Sequence, residues 1–179
     1  MRTARLGGHT LAYTSVEMDA PVPDVFAVLV DAHSYPRWLI GAAEVRRVDD
    51  GWPAPGTRFH HRVGLGPLSL ADSTEVIAIE QDRMLQLAVR ARPLISAVVT
   101  FRLVGDGVRS VLTWEEEPAL RLVGNLVRPV VDPLTHLRNH RSLQRLAVVV
   151  AQRVRPDRPL RPVRPPSVAA PGRSGSVRR

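Results

Sequence analysis

The 179-residue chain has no cysteine and no lysine. Without cysteine there can be no disulfide, no thiolate metal ligand and no cysteine nucleophile, which suits a reducing cytoplasm, the location expected here. No apolar run approaches the roughly 20 residues needed to span a bilayer. Met1–Thr10 has two arginines but lacks the apolar stretch of about 7–15 residues that completes a signal peptide. Aromatic residues are few, with three Trp, two Tyr and three Phe, so each ring is a large share of any wall the chain builds. The absence of lysine makes all 25 basic residues arginine. Such exclusion is what GC-rich coding produces, so arginine richness alone is poor evidence for a nucleic-acid binder.

What is present divides unevenly. From Arg153 onward there are eight arginines and one acid, Asp157, so this end holds +7 of the net charge of +8. The last 27 residues also contain six prolines, which block helix and remove backbone donors, and they offer few large apolar side chains. Residues 1–153 therefore read as one domain, nearly neutral and long enough to bury a core. Residues 154–179 read as a disordered Arg/Pro-rich tail with polyproline-II bias. The tail's charge suits nucleic acid or an anionic membrane. It lacks aromatics for base stacking, so a solvated extension is the preferred reading.

The body has no internal repeats. It opens with a predicted strand, Thr10–Asp19, with Val16 and Met18 on one side and Ser15 and Glu17 on the other. A helix is expected from Pro23, with an apolar stripe of Val22, Phe26, Leu29 and Val30. Asp31–Ser34 breaks it, and a short helix over Pro36–Ile40 carries Trp38. Six strands follow: Glu44–Val48, Thr57–Val63, Leu68–Glu80, Met84–Arg90, Leu94–Val104 and Val108–Glu116. Short connections such as Gln81-Asp82-Arg83 and Gly105-Asp106-Gly107 imply an antiparallel meander. Residues 118–131 read as a loop or as a short helix broken at Pro129. The final helix is expected to start at Asp132-Pro133 and run to about Arg153, with Pro156 as its stop.

Several phrases carry a resemblance. Asp19-Ala20-Pro21-Val22-Pro23-Asp24-Val25-Phe26, then Leu29-Val30-Asp31 with Tyr35-Pro36-Arg37-Trp38, open the body. Gly56-Thr57-Arg58-Phe59, Glu75-Val76, Asp82-Arg83-Met84-Leu85, Arg138-Asn139 and Ser142-Leu143 follow in order. Over about 10–152 the chain resembles the START-like (SRPBCC) superfamily, related to polyketide cyclases and dehydrases. The resemblance implies an α+β helix-grip fold. In it a curved antiparallel sheet of about seven strands wraps a long C-terminal helix, with two short helices after the first strand. It also implies a ligand cavity between sheet and helix. It does not fix a function, since the superfamily spans cyclases, carriers and proteins with no assigned activity.

Candidate site residues come from strand parity and residue type. His60 and His61 are adjacent in a strand and must face opposite ways, and His61 shares the less charged side with Phe59 and Val63. His61 is thus a candidate to hydrogen-bond a ligand or to act as acid or base. Its bland alternative is a histidine satisfied by a backbone or rim partner. Asp72 alternates with Leu70, Thr74 and Val76, and if that face is the inward one it is a second acid/base candidate. The opposite parity puts Ile77 and Ile79 inside instead, and a bulge could switch faces. Trp38 and Trp114, with Phe59, Phe101 and Leu143, are the wall material available to a flat apolar ligand, although rings of this kind are more often plain core. Arg90 and Arg92 could flank a cavity mouth. His136 and His140 share a helix face, but Leu137 stands where a zinc helix would carry its glutamate, so no metal site and no cofactor is expected.

The leading expectation is a protein that binds an apolar small molecule (lipid, acyl or polyketide-like), with turnover left open by the sequence. The first alternative is an aromatase/cyclase or dehydratase, for which His61 and Asp72 are the only acid/base candidates. The second is an interaction module whose basic tail seeks nucleic acid or anionic membrane.

Overall fold

A computed structural model of the chain describes residues 3–6, 9–63, 70–91, 95–118 and 128–155. Strand β1 (Thr3–Leu6) and β2 (His9–Met18) precede α1 (Val22–Leu29), a 3-10 turn (Ala32–Ser34) and α2 (Tyr35–Trp38). Six strands follow: β3 (Ala42–Val48), β4 (Arg58–Val63), β5 (Leu70–Glu80), β6 (Met84–Ala91), β7 (Ile95–Gly105) and β8 (Ser110–Pro118). Helix α3 (Arg128–Val154) is the last element. The strands form one antiparallel sheet in the order β1-β2-β8-β7-β6-β5-β4-β3. This is the expected meander with its first long strand returned beside the last. Such a sheet, apolar on one face, needs a cover. Helix α3 provides it and lies nearest β2, α1 and α2.

The local reasons are legible. Pro23 sits in the first turn of α1, where its missing N–H costs nothing, and Asp24 complements the helix dipole. Phe26 and Leu29 are fully buried, as the apolar stripe requires. Asp31 caps the next turn by accepting from the His33 N–H at 3.0 Å. Ser34 Oγ donates to the Val28 carbonyl, and Tyr35 Oη donates to that of Leu29. These two bonds pin α2 to the end of α1, and they explain why α2 starts at Tyr35 and ends at Trp38 rather than spanning Pro36–Ile40. Gly105 is needed for space: a Cβ there would meet the Arg109 carbonyl and sit 2.8 Å from Val22 Cγ2. The β7–β8 hairpin can therefore lie against the start of α1.

One expectation is corrected and two are sharpened. Among the described residues the sheet of about seven strands has eight, because β1 pairs with the start of β2 through Thr3↔Ala12 to Leu6↔His9. Helix α3 begins at Arg128, so Pro129 rather than Pro133 takes its first turn, and Pro133 lies inside the helix. Only the first four N–H groups of a helix lack an internal acceptor, so Pro129 is free of cost and Pro133 forfeits one bond. In β5 both parities hold in turn. A register shift between Val76 and Ala78 puts Asp72, Thr74 and Val76 inside, throws Ile77 to solvent at 42% exposure, and returns Ile79 to the core side. The expected tail, residues 154–179, lies outside the described residues beyond Arg155, as does Arg92. Among the described residues no helix is long and apolar enough to cross a membrane.

Candidate functional site

Strand register sorts the inward residues into rows across the concave face. His61 stands opposite Asp72, and Phe59 opposite Thr74, which continues to Val89. The next row runs Val76, Leu87, Val99, Glu116. Beyond it come Ile79, Leu85, Phe101, Trp114 and Thr14, then Leu103, Leu112 and Val16. Helix α3 sets Asn139, Ser142, Leu143, Leu146 and Val150 toward this face, all of them buried.

The rings join into a line. His61 lies 5.1 Å from Phe59, Phe59 lies 4.8 Å from Tyr35, and Tyr35 lies 4.8 Å from Trp38. Trp38 then meets Phe101 at 6.1 Å and Trp114 at 6.4 Å, edge to face, and these two meet each other at 5.1 Å. Offset and edge-on geometries of this kind are the favourable ones for aromatic quadrupoles. Of the seven candidates, His61 and Asp72 are thus cross-strand neighbours at one end of the line, next to Phe59. Trp38, Phe101 and Trp114 cluster at the other end, and Leu143 faces them from α3 as part of the same core. Trp38 is fully buried, and its Nε1 donates to Ser34 Oγ.

The His61 end is polar. His61 is 4% exposed, and its Nε2 is 3.0 Å from Thr74 Oγ1. Its Nδ1 is buried with no hydrogen-bond partner among the described residues. Burial holds the His61 pKa below the ordinary histidine value. The Arg62 backbone opposes this shift, and the charges of His60 and Arg46 add to it. The ring is therefore neutral at physiological pH, with one nitrogen able to donate and one to accept. Asp72 Oδ1 accepts from the Ser73 N–H at 2.6 Å. Val63 and Val89, inward by register on either side of these groups, are only half-buried, so this end is less tightly covered than the Trp38 end.

Two polar positions were not singled out in the sequence. Glu116 follows Trp114 at strand spacing and so shares its face. Its carboxylate accepts from Asn139 Nδ2 at 2.8 Å and from Arg138 Nη2 at 3.0 Å. Arg138 also lies over the Trp114 ring, 6.0 Å from its centroid. Period-two reading beyond Trp114 would have found Glu116, and the acid's partner supplies the reason it tolerates burial. Thr74, the partner of His61, was visible only as one alternating residue in β5.

The remaining candidates face outward. His60 meets Asp49 at 3.3 Å on the convex face, as parity requires. Arg90 is also on that face, 3.8 Å from Glu75, so it does not flank the interior. On α3 His136 is half-buried and His140 is exposed, with His140 Nε2 3.1 Å from Gln144 Nε2. Among the described residues no three His, Asp or Glu side chains gather closely enough to hold a metal.

A long antiparallel sheet covered by two short helices and one long terminal helix defines a helix-grip protein of the START-like class. The family model for polyketide cyclase/dehydrase and lipid transport matches residues 9–151, and the chain belongs to that family. Among solved structures, the Zhui aromatase/cyclase from Streptomyces sp. R1128 superposes with a TM-score of 0.65 at 16% identity, covering 81% of this chain and 95% of that one. A START superfamily protein from Mycobacterium smegmatis gives 0.58 at 19% identity, covering 79% and 97%. The di-domain aromatase/cyclase StfQ of the steffimycin biosynthetic pathway gives 0.62 at 11% identity, covering 80% of this chain and 51% of that one. No curated protein matches by sequence. At these identities the likeness establishes the fold alone.

Proposed function

We propose that the protein binds an apolar small molecule of lipid, acyl or polyketide-like type between the concave sheet face and α3. In this reading the ligand's hydrocarbon lies along Phe59, Phe101, Trp114 and Leu143, with Trp38 backing the rings. One polar group, a carbonyl or hydroxyl, points at the end marked by His61 and Asp72. The observation that carries the reading is His61: a neutral, buried ring beside Phe59 and opposite Asp72, with Nε2 tied to Thr74 and Nδ1 without a hydrogen-bond partner among the described residues. Pockets for small molecules combine an apolar wall with a few placed polar groups in this way.

The test is titration of the full chain with a panel of fatty acyl, sterol-like and polycyclic aromatic compounds, read by thermal midpoint and intrinsic Trp fluorescence. A ligand that raises the wild-type midpoint should bind about five- to tenfold more weakly to His61→Phe/Thr74→Val, since one buried hydrogen bond is worth about 1–1.5 kcal/mol. If no compound moves either signal, the reading fails.

The second reading is an aromatase/cyclase or dehydratase. The depressed pKa of His61 supports it, because a neutral imidazole can take a proton during enolisation. Under this reading His61→Gln abolishes conversion of a poly-β-ketone substrate while leaving its binding intact. Equal turnover by the variant would exclude His61 as the base.

A further inference from the structure

Between Pro133 and Arg155 the sequence has five arginines and no acid. Arg138 turns inward to Glu116. Arg141, Arg145, Arg153 and Arg155 are exposed, and none of them meets an acid among the described residues. The convex face of the sheet behaves differently: Arg58 and Arg90 share Glu75, Arg102 meets Glu115, and Arg109 meets Glu17. Coding bias explains arginine in place of lysine on both surfaces. It does not explain why one surface pairs its cations and the other omits the partners.

The 3.6-residue period sets Leu137, Arg141, Arg145, Val148, Gln152 and Arg155 on one stripe, opposite the buried Leu143, Leu146 and Val150. From Leu137 to Arg155 this stripe is about 27 Å long at 1.5 Å per residue. A shallow groove of about 440 Å³ opens on it, lined by Arg141, Gln144, Arg145 and Val148. Leu137 is 47% exposed and Val148 half-buried, so apolar side chains alternate with the cations.

We infer that this outer stripe of α3 docks the protein on an anionic phospholipid bilayer. The guanidinium groups meet lipid phosphates bidentately, and their stems lie along Leu137 and Val148 as these enter the headgroup boundary. A mixed basic and apolar stripe fits a bilayer better than a nucleic acid. Leu137 and Val148 gain nothing against a phosphate backbone, and no aromatic residue follows Trp114 to stack on a base. The docking does not depend on the interior's being a ligand site. If the interior is one, the helix that covers it is the element resting on the membrane, which gives an apolar ligand a short, dry path.

The experiment is co-sedimentation of the full chain with phosphatidylcholine vesicles, with and without phosphatidylglycerol, at low and physiological salt. Binding is expected only with phosphatidylglycerol and should weaken as salt screens the charges. Arg141→Gln/Arg145→Gln should lower partitioning about twentyfold at low salt, given about fivefold per arginine near an anionic surface. A second pair on the same stripe, Arg145→Gln/Arg155→Gln, should give a loss of the same order. Arg102→Gln on the convex sheet face should change nothing. No binding to phosphatidylglycerol vesicles overturns the inference. So does undiminished binding by both folded double variants, which would assign the affinity to another basic segment, or preferential capture of the chain by duplex DNA over vesicles of equal charge.

Discussion

At one end of the concave face, Trp38, Phe101, Trp114, Leu112 and Phe26 are each at most 2% exposed, and the first three touch edge to face. At the other end, three rows away, His61, Asp72 and Thr74 are buried beside half-buried Val63 and Val89. The same alternation of side chains builds both ends. One is closed by α1 and α2 and lined by the most deeply buried rings. The other gathers polar side chains, with His61 Nε2 3.0 Å from Thr74 Oγ1 and Asp72 Oδ1 accepting from the Ser73 N–H. The fold's stability comes from the first end, and its candidate chemistry lies at the second.

This contrast can be broken most strongly at Trp38. Trp38→Ala removes a fully buried ring with three aromatic neighbours and should lower unfolding free energy by about 3–5 kcal/mol in urea titration. A loss below about 1 kcal/mol would mean the closed end is not a packed core. Gly105→Ala should cost about 1–3 kcal/mol, because the new methyl group forces the β7–β8 hairpin off α1.

At the polar end, His61→Phe should cost about 1–3 kcal/mol by leaving Thr74 Oγ1 without its partner. Adding Thr74→Val should recover most of that loss, since removing both partners is nearly neutral. Double-mutant analysis by chemical denaturation checks this. Full recovery of stability with ligand binding still lost would separate the two ends cleanly.

Acid supplies a smaller effect. The folded His61 pKa lies below its ordinary value of 6.5, so the unfolded chain takes up a proton first as pH falls. The contribution of His61 is therefore constant above about pH 7 and is lost on acidification from about 6.5 down to the lowered folded pKa. The melting midpoint of the wild type should fall over this window more than that of His61→Phe. Equal slopes would show that the ring is not buried neutral. The smallest change belongs to the convex face, where Arg102→Ala breaks an exposed ion pair and should cost no more than about 0.5 kcal/mol.

The meander, the inward parity of His61, and the Val16–Met18 alternation could be read before any coordinates, because period and turn residues are local signals. Asp72 was ambiguous from pattern alone. Its strand changes face at Ile77, and a bulge is one residue whose signal is the conflict itself. The start of α3 was misplaced because Asp132-Pro133 and Arg128-Pro129 both look like helix starts, and only the tertiary cover decides between them. Strand β1 was missed because four residues are too few to show alternation. The tie from Glu116 to Asn139 and Arg138 joins positions more than twenty residues apart. Each partner reads as ordinary surface until the helix is laid on the sheet.

The most direct test of the binding account is native mass spectrometry of the full chain as purified, repeated after organic extraction. The account predicts a defined adduct of a small apolar molecule that extraction removes and that the His61→Phe/Thr74→Val chain carries at lower occupancy. An adduct-free protein that no compound in the hydrophobic panel stabilises would contradict it, leaving a fold of this family whose interior is only core.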